Sequence, residues 1–178
     1  AHLITAVFGD GSRFGLEIEY SLENDPLSTV GPLRLVNDLP DDFLVINGDV
    51  LTDIDLHALY DHHRNSGAIA TVAAARRTEQ IDFGVVELDE VGRIVGFREK
   101  PTFDFTVSMG VYVFSKRVLS MIPADRQYGF DELMRDLLDR DERIESFVYS
   151  GYWLDVGRLS DFEQAQRDVD ILRELGLS

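Results

Sequence analysis

The sequence predicts an α/β fold, with a mixed, mostly parallel central sheet flanked by helices and one inserted β-hairpin. Three observations carry this. Phe43-Leu44-Val45-Ile46 is apolar without alternation and ends in Asn47-Gly48-Asp49, the pattern of a strand buried on both faces and closed by a turn. Strand-like and helix-like segments interleave along the chain, as in sheets covered by helices. Phe83 to Leu88 and Arg93 to Arg98 flank Asp89-Glu90-Val91-Gly92, a hairpin signal that interrupts the alternation and makes the sheet mixed.

In chain order, His2 to Phe8 reads as the last turns of a helix, stopped by Gly9-Asp10-Gly11. The stretch Gly9 to Gly15 is only superficially like a phosphate loop. Its third Gly comes one place late, it lies between helix and strand, and it has no Gly-Lys-Ser/Thr. Context favours a plain turn. Leu16 to Tyr20 alternates and reads as a strand. A helix is expected over Ser28 to Val36, with Ser28 or Thr29 as N-cap and Pro32 in its first turn. After the strand at Phe43, Asp55 caps a helix from Leu56 to Arg64 that ends at Asn65-Ser66-Gly67. Ala68 to Ala75 is a second buried strand. Glu99-Lys100-Pro101 ends the hairpin, and Thr106 to Phe114 is a strand with Gly110 inside it. An interior Gly marks close approach of a backbone or ligand. A short helix follows from Ser115 to Met121 and another from Phe130 to Asp139. Ile144 to Tyr149 is a strand, and Ser160 caps a last helix to about Leu175. No linker or repeat divides the chain, so residues 1–178 read as a single domain.

The length suffices for one domain with its own core. The formal net charge is −16, which argues against a nucleic-acid backbone or an anionic membrane as partner. A phosphate-bearing ligand would have to be drawn in by local cations, backbone N–H groups or a metal. There is no cysteine, which excludes disulfides and thiolate zinc sites. No apolar run reaches membrane-spanning length. No signal peptide is visible either, so a cytoplasmic location is expected.

Four groups could carry chemistry: Asn47-Gly48-Asp49, Phe83-Gly84-Val85-Val86, Phe97-Arg98-Glu99-Lys100-Pro101 and Tyr152-Trp153-Leu154-Asp155-Val156-Gly157. Asp49 stands at the carboxyl end of its strand, where open α/β sheets bind ligands. A carboxylate there calls for a cation, and Mg²⁺ prefers hard oxygens and shares them with phosphates.

Taken together and in this order, the four groups resemble the sugar-1-phosphate nucleotidyltransferases, and nearly the whole chain takes part. The similarity is greatest to the branch of mannose-1-phosphate guanylyltransferases and glucose-1-phosphate nucleotidyltransferases. It implies a Rossmann-like nucleotide-diphospho-sugar transferase fold. It also implies Mg²⁺-dependent transfer of a nucleotidyl group from a nucleoside triphosphate, GTP or dTTP, to a sugar 1-phosphate. By this resemblance Asp49 and Asp155 match metal-binding aspartates, with Asn47 and Gly48 beside the first. Glu99 matches a carboxylate that holds sugar hydroxyls, and Lys100 a lysine that holds the sugar phosphate. Gly84 matches a glycine whose backbone approaches the sugar. Ser108 falls where many relatives carry Asn, and Gly110 matches the glycine beside it. Thr29 lies in the base-binding turn, read here as Leu27-Ser28-Thr29-Val30-Gly31 where relatives read Leu-Gly-Thr-Ala-Gly. The family's Gly-rich triphosphate signature, with its strand, loop and helix, would precede Ala1. The hairpin and the acidic surface are compatible with a homo-oligomer.

Blander readings compete. Glu99-Lys100 has the form of a solvated surface pair, and Trp153 that of a core residue. His57 and Asp61 share a helical face without an evident third ligand, so the face carrying His57, Asp61, His62 and His63 reads as solvated. The acidic run Asp136, Asp139, Asp141 and Glu142 reads as a solvated helix end. Two other functions are a non-catalytic subunit that binds a nucleotide sugar, and a glycosyltransferase using Asp53-Ile54-Asp55 as an Asp-x-Asp metal motif.

Overall fold

The computed structural model describes residues 2–124, 126–174 and 176. Its strands are β1 (Asp42–Ile46), β2 (Val50–Thr52), β3 (Ala70–Gln80), β4 (Val85–Leu88), β5 (Ile94–Arg98), β6 (Thr102–Ser115), β7 (Ile144–Tyr149) and β8 (Trp153–Asp155). Its α-helices are α1 (His2–Phe8), α2 (Leu56–Ser66), α3 (Phe130–Asp139), α4 (Leu159–Arg167) and α5 (Val169–Glu174). The main sheet has four strands in the order β1-β6-β3-β7. β6 is antiparallel to both β1 and β3, whereas β3 and β7 are parallel. Three strands therefore point one way and β6 alone is reversed, so the sheet is mixed. The expected hairpin is the separate β4-β5 ladder, and β2 pairs with β8.

Side chains alternate across the two central strands and make two cores. From β6, Tyr112 and Phe114 join Phe43, Val118, Tyr128, Leu133 and Leu137 on the face covered by α3. Val111 and Val113 point the other way and join Ala73, Ala75, Ile54 and Leu59 under α2. The alanines of β3 keep that face thin enough for Leu59 to be fully buried. Helix α2 starts as the sequence predicts. Asp55 Oδ1 accepts from the His57 and Ala58 N–H groups at 2.9 and 3.0 Å, and Gly67 closes the helix in the left-handed conformation. The Gly9–Gly15 stretch is a plain turn, in which Asp10 Oδ1 accepts from the Ser12 N–H.

Several expectations are corrected. β1 is not buried on both faces. It forms one edge of the sheet, with Leu44 37% and Ile46 46% exposed. The doubly buried strand is β6, from Met109 to Phe114. An apolar run does not report how many neighbours its strand has. Leu16–Tyr20 forms no strand, since it finds no ladder partner among the described residues. The helix expected over Ser28–Val36 shrinks to a 3-10 turn, Gly31–Leu35, with Pro32 in its first turn. Ser28 takes φ +69° and Thr29 Oγ1 accepts from the Phe130 N–H, so neither caps that turn. Lys116–Met121 is likewise 3-10, opened by Ser115. Ser160 lies inside α4, where Asp161 accepts from the Arg158 N–H. The expected end of the last helix, Leu175, lies outside the described residues. The α2 and α3 side chains are less solvated than expected. His63 is buried, His62 packs edge-on against Phe147, and Asp136 accepts from the Tyr128 hydroxyl at 2.5 Å.

Replacing Asp55 with Ala leaves two helix N–H groups without their cap. The expected cost is about 1 kcal/mol of stability, read as a lower urea midpoint with an unchanged slope.

Candidate active site

The two aspartates that lie 106 residues apart in sequence (155 less 49) meet through backbone pairing. Val50 pairs with Asp155 in the β2-β8 ladder, and the Val156 N–H donates to the Asp49 carbonyl at 2.9 Å. Asp49 ends the turn after β1, and Asp155 ends β8. Both residues are exposed, and neither carboxylate forms an ion pair with a described residue.

A bend in β6 draws three more predicted residues to the same place. Gly110 has φ +74° inside the most buried strand. Its carbonyl accepts from the Asn47 N–H at 2.9 Å, and its N–H donates to Ser108 Oγ at 3.4 Å. A Cβ at Gly110 would lie 2.8 Å from Asn47 Nδ2 and 3.1 Å from Val50 Cγ2. Close approach of other groups is therefore why this position is glycine. Trp153 packs in the core under α2 and donates from Nε1 to the Met109 carbonyl at 3.0 Å, which fixes β8 against the bend. Gly48 has open space around it, so packing does not demand glycine there.

Tyr112 is the residue that sequence reasoning missed. Its hydroxyl accepts from Ser108 Oγ at 3.2 Å, and its ring stacks on Phe130 with centroids 4.3 Å apart. Burial raises its pKa, the Ser108 hydrogen bond opposes that, and the Asp155 charge adds to the rise. Together with Thr29, Asn47 and Phe130 it lines a cavity of about 370 Å³. Its spacing of four residues from Ser108 across an interior Gly was the available signal. A second cavity, of about 480 Å³, contains Asp155 with Trp153, Arg77 and Arg158.

The other predicted residues form a second group on the hairpin. A Cβ at Gly84 would fall 2.5 Å from Phe97 Cζ and 3.1 Å from Glu99 Oε2, so Gly84 and Glu99 are neighbours. Lys100 takes φ +43° at the sharp turn from β5 into β6, where the next carbonyl, Pro101, accepts from the Ile81 N–H at 3.0 Å. No hydrogen bond or ion pair joins this group to the aspartates among the described residues. The Asp-x-Asp reading loses both its carboxylates to structure, because Asp55 caps α2 and Asp53 accepts from the Tyr149 hydroxyl.

Comparison with known proteins shows the family and the fold. Residues 1–170 match the family model described as nucleotidyl transferase. The mannose-1-phosphate guanylyltransferase of Mycobacterium tuberculosis is 39% identical over 92% of this chain and 47% of its own length. A UTP–glucose-1-phosphate uridylyltransferase from Synechocystis is 32% identical over 95% of this chain and 49% of its own. The chain thus spans about half the length of these curated relatives. The crystal structure of HddC from Yersinia pseudotuberculosis superposes with a TM-score of 0.70 at 20% identity, covering 95% of this chain and 74% of that one. That likeness shows the shared fold. No helix among the described residues is long and apolar enough to cross a membrane.

Gly110→Ala tests the bend. The left-handed backbone and the contact with Asn47 are expected to cost about 2 kcal/mol, read by urea unfolding, with the Asn47 side-chain amide resonances displaced in NMR spectra. An unchanged midpoint would show that the bend relaxes freely.

Proposed function

The chain belongs to the sugar-1-phosphate nucleotidyltransferase family, and on that premise we propose that it transfers a nucleotidyl group from a nucleoside triphosphate to a sugar 1-phosphate. A phosphate oxygen of the sugar 1-phosphate attacks the α-phosphorus in line. The bond from that phosphorus to the bridging oxygen breaks, and pyrophosphate leaves with the electron pair. Such transfers depend on positioning and charge neutralisation rather than on covalent help from the protein.

The observation that carries the reading is the meeting of Asp49 and Asp155 beside the Asn47–Gly110–Ser108 bend. Two exposed carboxylates that form no ion pair among the described residues fit Mg²⁺. There is no cluster of three acidic or imidazole ligands among the described residues, which suits an ion that fills its remaining positions with phosphate oxygens and water. Asp49 and Asp155 would hold it, and when bound it neutralises charge on the phosphate oxygens. Lys100 holds the sugar phosphate as a point charge. Glu99 accepts hydrogen bonds from sugar hydroxyls, and Gly84 and Ser108 border the sugar. Thr29 and Asn47 line one cavity, which would take the nucleotide beside the base-binding turn. GTP and dTTP are the nucleotides favoured by the resemblance.

A non-catalytic subunit that binds a nucleotide sugar is the second reading, and Ser28 favours it. This residue takes a left-handed φ of +69° at the place where the resemblance puts glycine, so the turn keeps a glycine's shape without its freedom. Turnover separates the two readings.

Pyrophosphate release should fall at least roughly hundredfold in Asp155→Asn with the fold retained, on the scale of removing one electrostatic contact to the transition state. Lys100→Ala should raise KM for sugar 1-phosphate about tenfold or more, with a smaller effect on KM for the nucleotide. If both variants keep full activity, the site is elsewhere. Calorimetry with GDP-mannose and dTDP-glucose, each with and without Mg²⁺, should show metal-dependent binding of at least one. Metal-dependent binding without any turnover supports the second reading.

A further inference from the structure

Five charged side chains line the cavity of about 480 Å³ at Asp155: Arg77, Glu79, Asp155, Arg158 and Asp161. Three of them are already committed. Arg77 Nε donates to Glu79 Oε1 at 2.7 Å, and Asp161 Oδ2 accepts from the Arg158 N–H at 2.9 Å. The Asp155 carboxylate and the Arg158 guanidinium remain. Neither forms an ion pair with a described residue, and they do not pair with each other.

Opposite charges three residues apart on one cavity attract each other, so their separation calls for a reason. The backbone is fixed on both sides. Asp155 pairs with Val50, and the next residue, Val156, is tied to the Asp49 carbonyl. Arg158 is extended, with φ −130° and ψ 162°, and opens α4. A carboxylate and a guanidinium held in this way leave room for a cation on the first and an anion on the second. A phosphate monoester bound with Mg²⁺ supplies both. The helix end is not itself the anion site, because Asp161 already occupies its first turn.

The β3 wall of the cavity points to the same ligand. Arg77 and Glu79 follow Ala73 and Ala75 at alternate positions of β3, and those alanines pack in the core that Trp153 joins. Gln80 pairs with Thr102, and the Ile81 N–H donates to the Pro101 carbonyl. From Glu79 this wall therefore runs on, within about 7 Å of strand, into the turn that carries Lys100.

We propose that Arg158 binds the phosphate of the sugar 1-phosphate, as a further cationic contact beside Lys100 and the metal at Asp155. Its planar fork can donate to two phosphate oxygens at once, which a lysine ammonium does not. A chain of net charge −16 repels a phosphate dianion, and a guanidinium free of any carboxylate partner answers that repulsion. Arg77, tied to Glu79, bounds the cavity without free charge. The identity of the ligand rests on the nucleotidyltransferase reading.

The test is calorimetric binding of mannose 1-phosphate and glucose 1-phosphate, each with Mg²⁺, to wild type, Arg158→Ala and Arg158→Lys. Wild type should bind at least one of them, and Arg158→Ala should weaken that binding about tenfold or more. Arg158→Lys should regain part of the loss, since it keeps the charge without the fork. The urea midpoint of Arg158→Ala should not move, because the Arg158 backbone N–H, not its guanidinium, meets Asp161. In wild type the Arg158 Nε–H resonance should shift on adding the sugar phosphate, a readout that serves if Arg158→Ala fails to fold. Equal affinity in wild type and Arg158→Ala, an Nε–H resonance that stays in place, or no binding of either sugar phosphate to wild type overturns the assignment. So does an Arg158→Ala variant that binds Mg²⁺ more tightly with its sugar-phosphate affinity unchanged, since Arg158 would then only screen Asp155. Sugar-phosphate binding with the expected signatures but no pyrophosphate release counts against the functional reading alone. Pyrophosphate release with an unchanged KM for sugar 1-phosphate in Arg158→Ala counts against Arg158 alone.

Discussion

The candidate site hangs on one bend in the most buried strand. At Gly110 the backbone of β6 turns left-handed in the middle of a run that is buried on both faces. The side chain of Asn47 occupies the space a Cβ would take, and the Asn47 N–H is held by the Gly110 carbonyl. Trp153 donates to the neighbouring Met109 carbonyl, so β8 and its terminal Asp155 are placed by the same bend. The turn after β1 then closes on β8 through Asp49 and Val156. A fault at Gly110 would be transmitted to both aspartates, because each is anchored to the core through a residue that touches it. Two tightly packed cores hold the bend rigidly, and rigidity is what a site that works by positioning needs.

Charge follows a different logic from packing. The chain carries a net −16, yet most of its ion pairs lie on the surface, as Arg77–Glu79 and Arg143–Glu145 do, where such pairs add little stability. Asp49 and Asp155 are exposed too, and like many carboxylates of this chain they form no ion pair with a described residue. Two neighbouring carboxylates repel each other, and a divalent cation removes that repulsion. The same cation would also answer the problem that an acidic protein poses for an anionic substrate. On the proposed function, a metal at this pair would screen both the protein's charge and the ligand's.

How much was legible in the sequence follows from the range of each signal. The cap at Asp55, the hairpin around Asp89–Gly92 and six of the eight strands depend on residues a few positions apart and are legible in the sequence, whereas the short β2 and β8, which bring Asp49 and Asp155 together, carry no local signal of their own. Phe43–Ile46 was placed at the centre because its composition matches a doubly buried strand, while the number of its neighbours is settled by distant segments. Leu16–Tyr20 alternates correctly and still finds no ladder partner among the described residues. The resemblance supplied Asp49 and Asp155 as a pair, which no local rule could have joined across so much chain. His63 reads from the sequence as part of a solvated face, because that face offers no evident third metal ligand. Its burial depends on Thr71 and Asp42, which approach from two strands.

The two groups of candidate residues differ in how they are held, and this bears on how they would act together. Asn47, Asp49, Ser108, Gly110 and Asp155 stand on the buried core. Gly84, Glu99 and Lys100 stand on a two-stranded ladder whose Phe83, Leu88, Ile94 and Phe97 are largely exposed. An isolated two-stranded hairpin is marginally stable in water, and exposed apolar residues on it gain from any surface that covers them. The aspartate half of the candidate site is therefore fixed by the core. On the proposed function, a sugar phosphate held by Glu99 and Lys100 would also cover part of this exposed apolar surface. Interactions with the sugar would then act on rate as well as affinity, because they bring Lys100 to a phosphate already positioned beside the aspartates. On the proposed function, the core would then fix where the phosphorus sits, and the hairpin would select the sugar that reaches it.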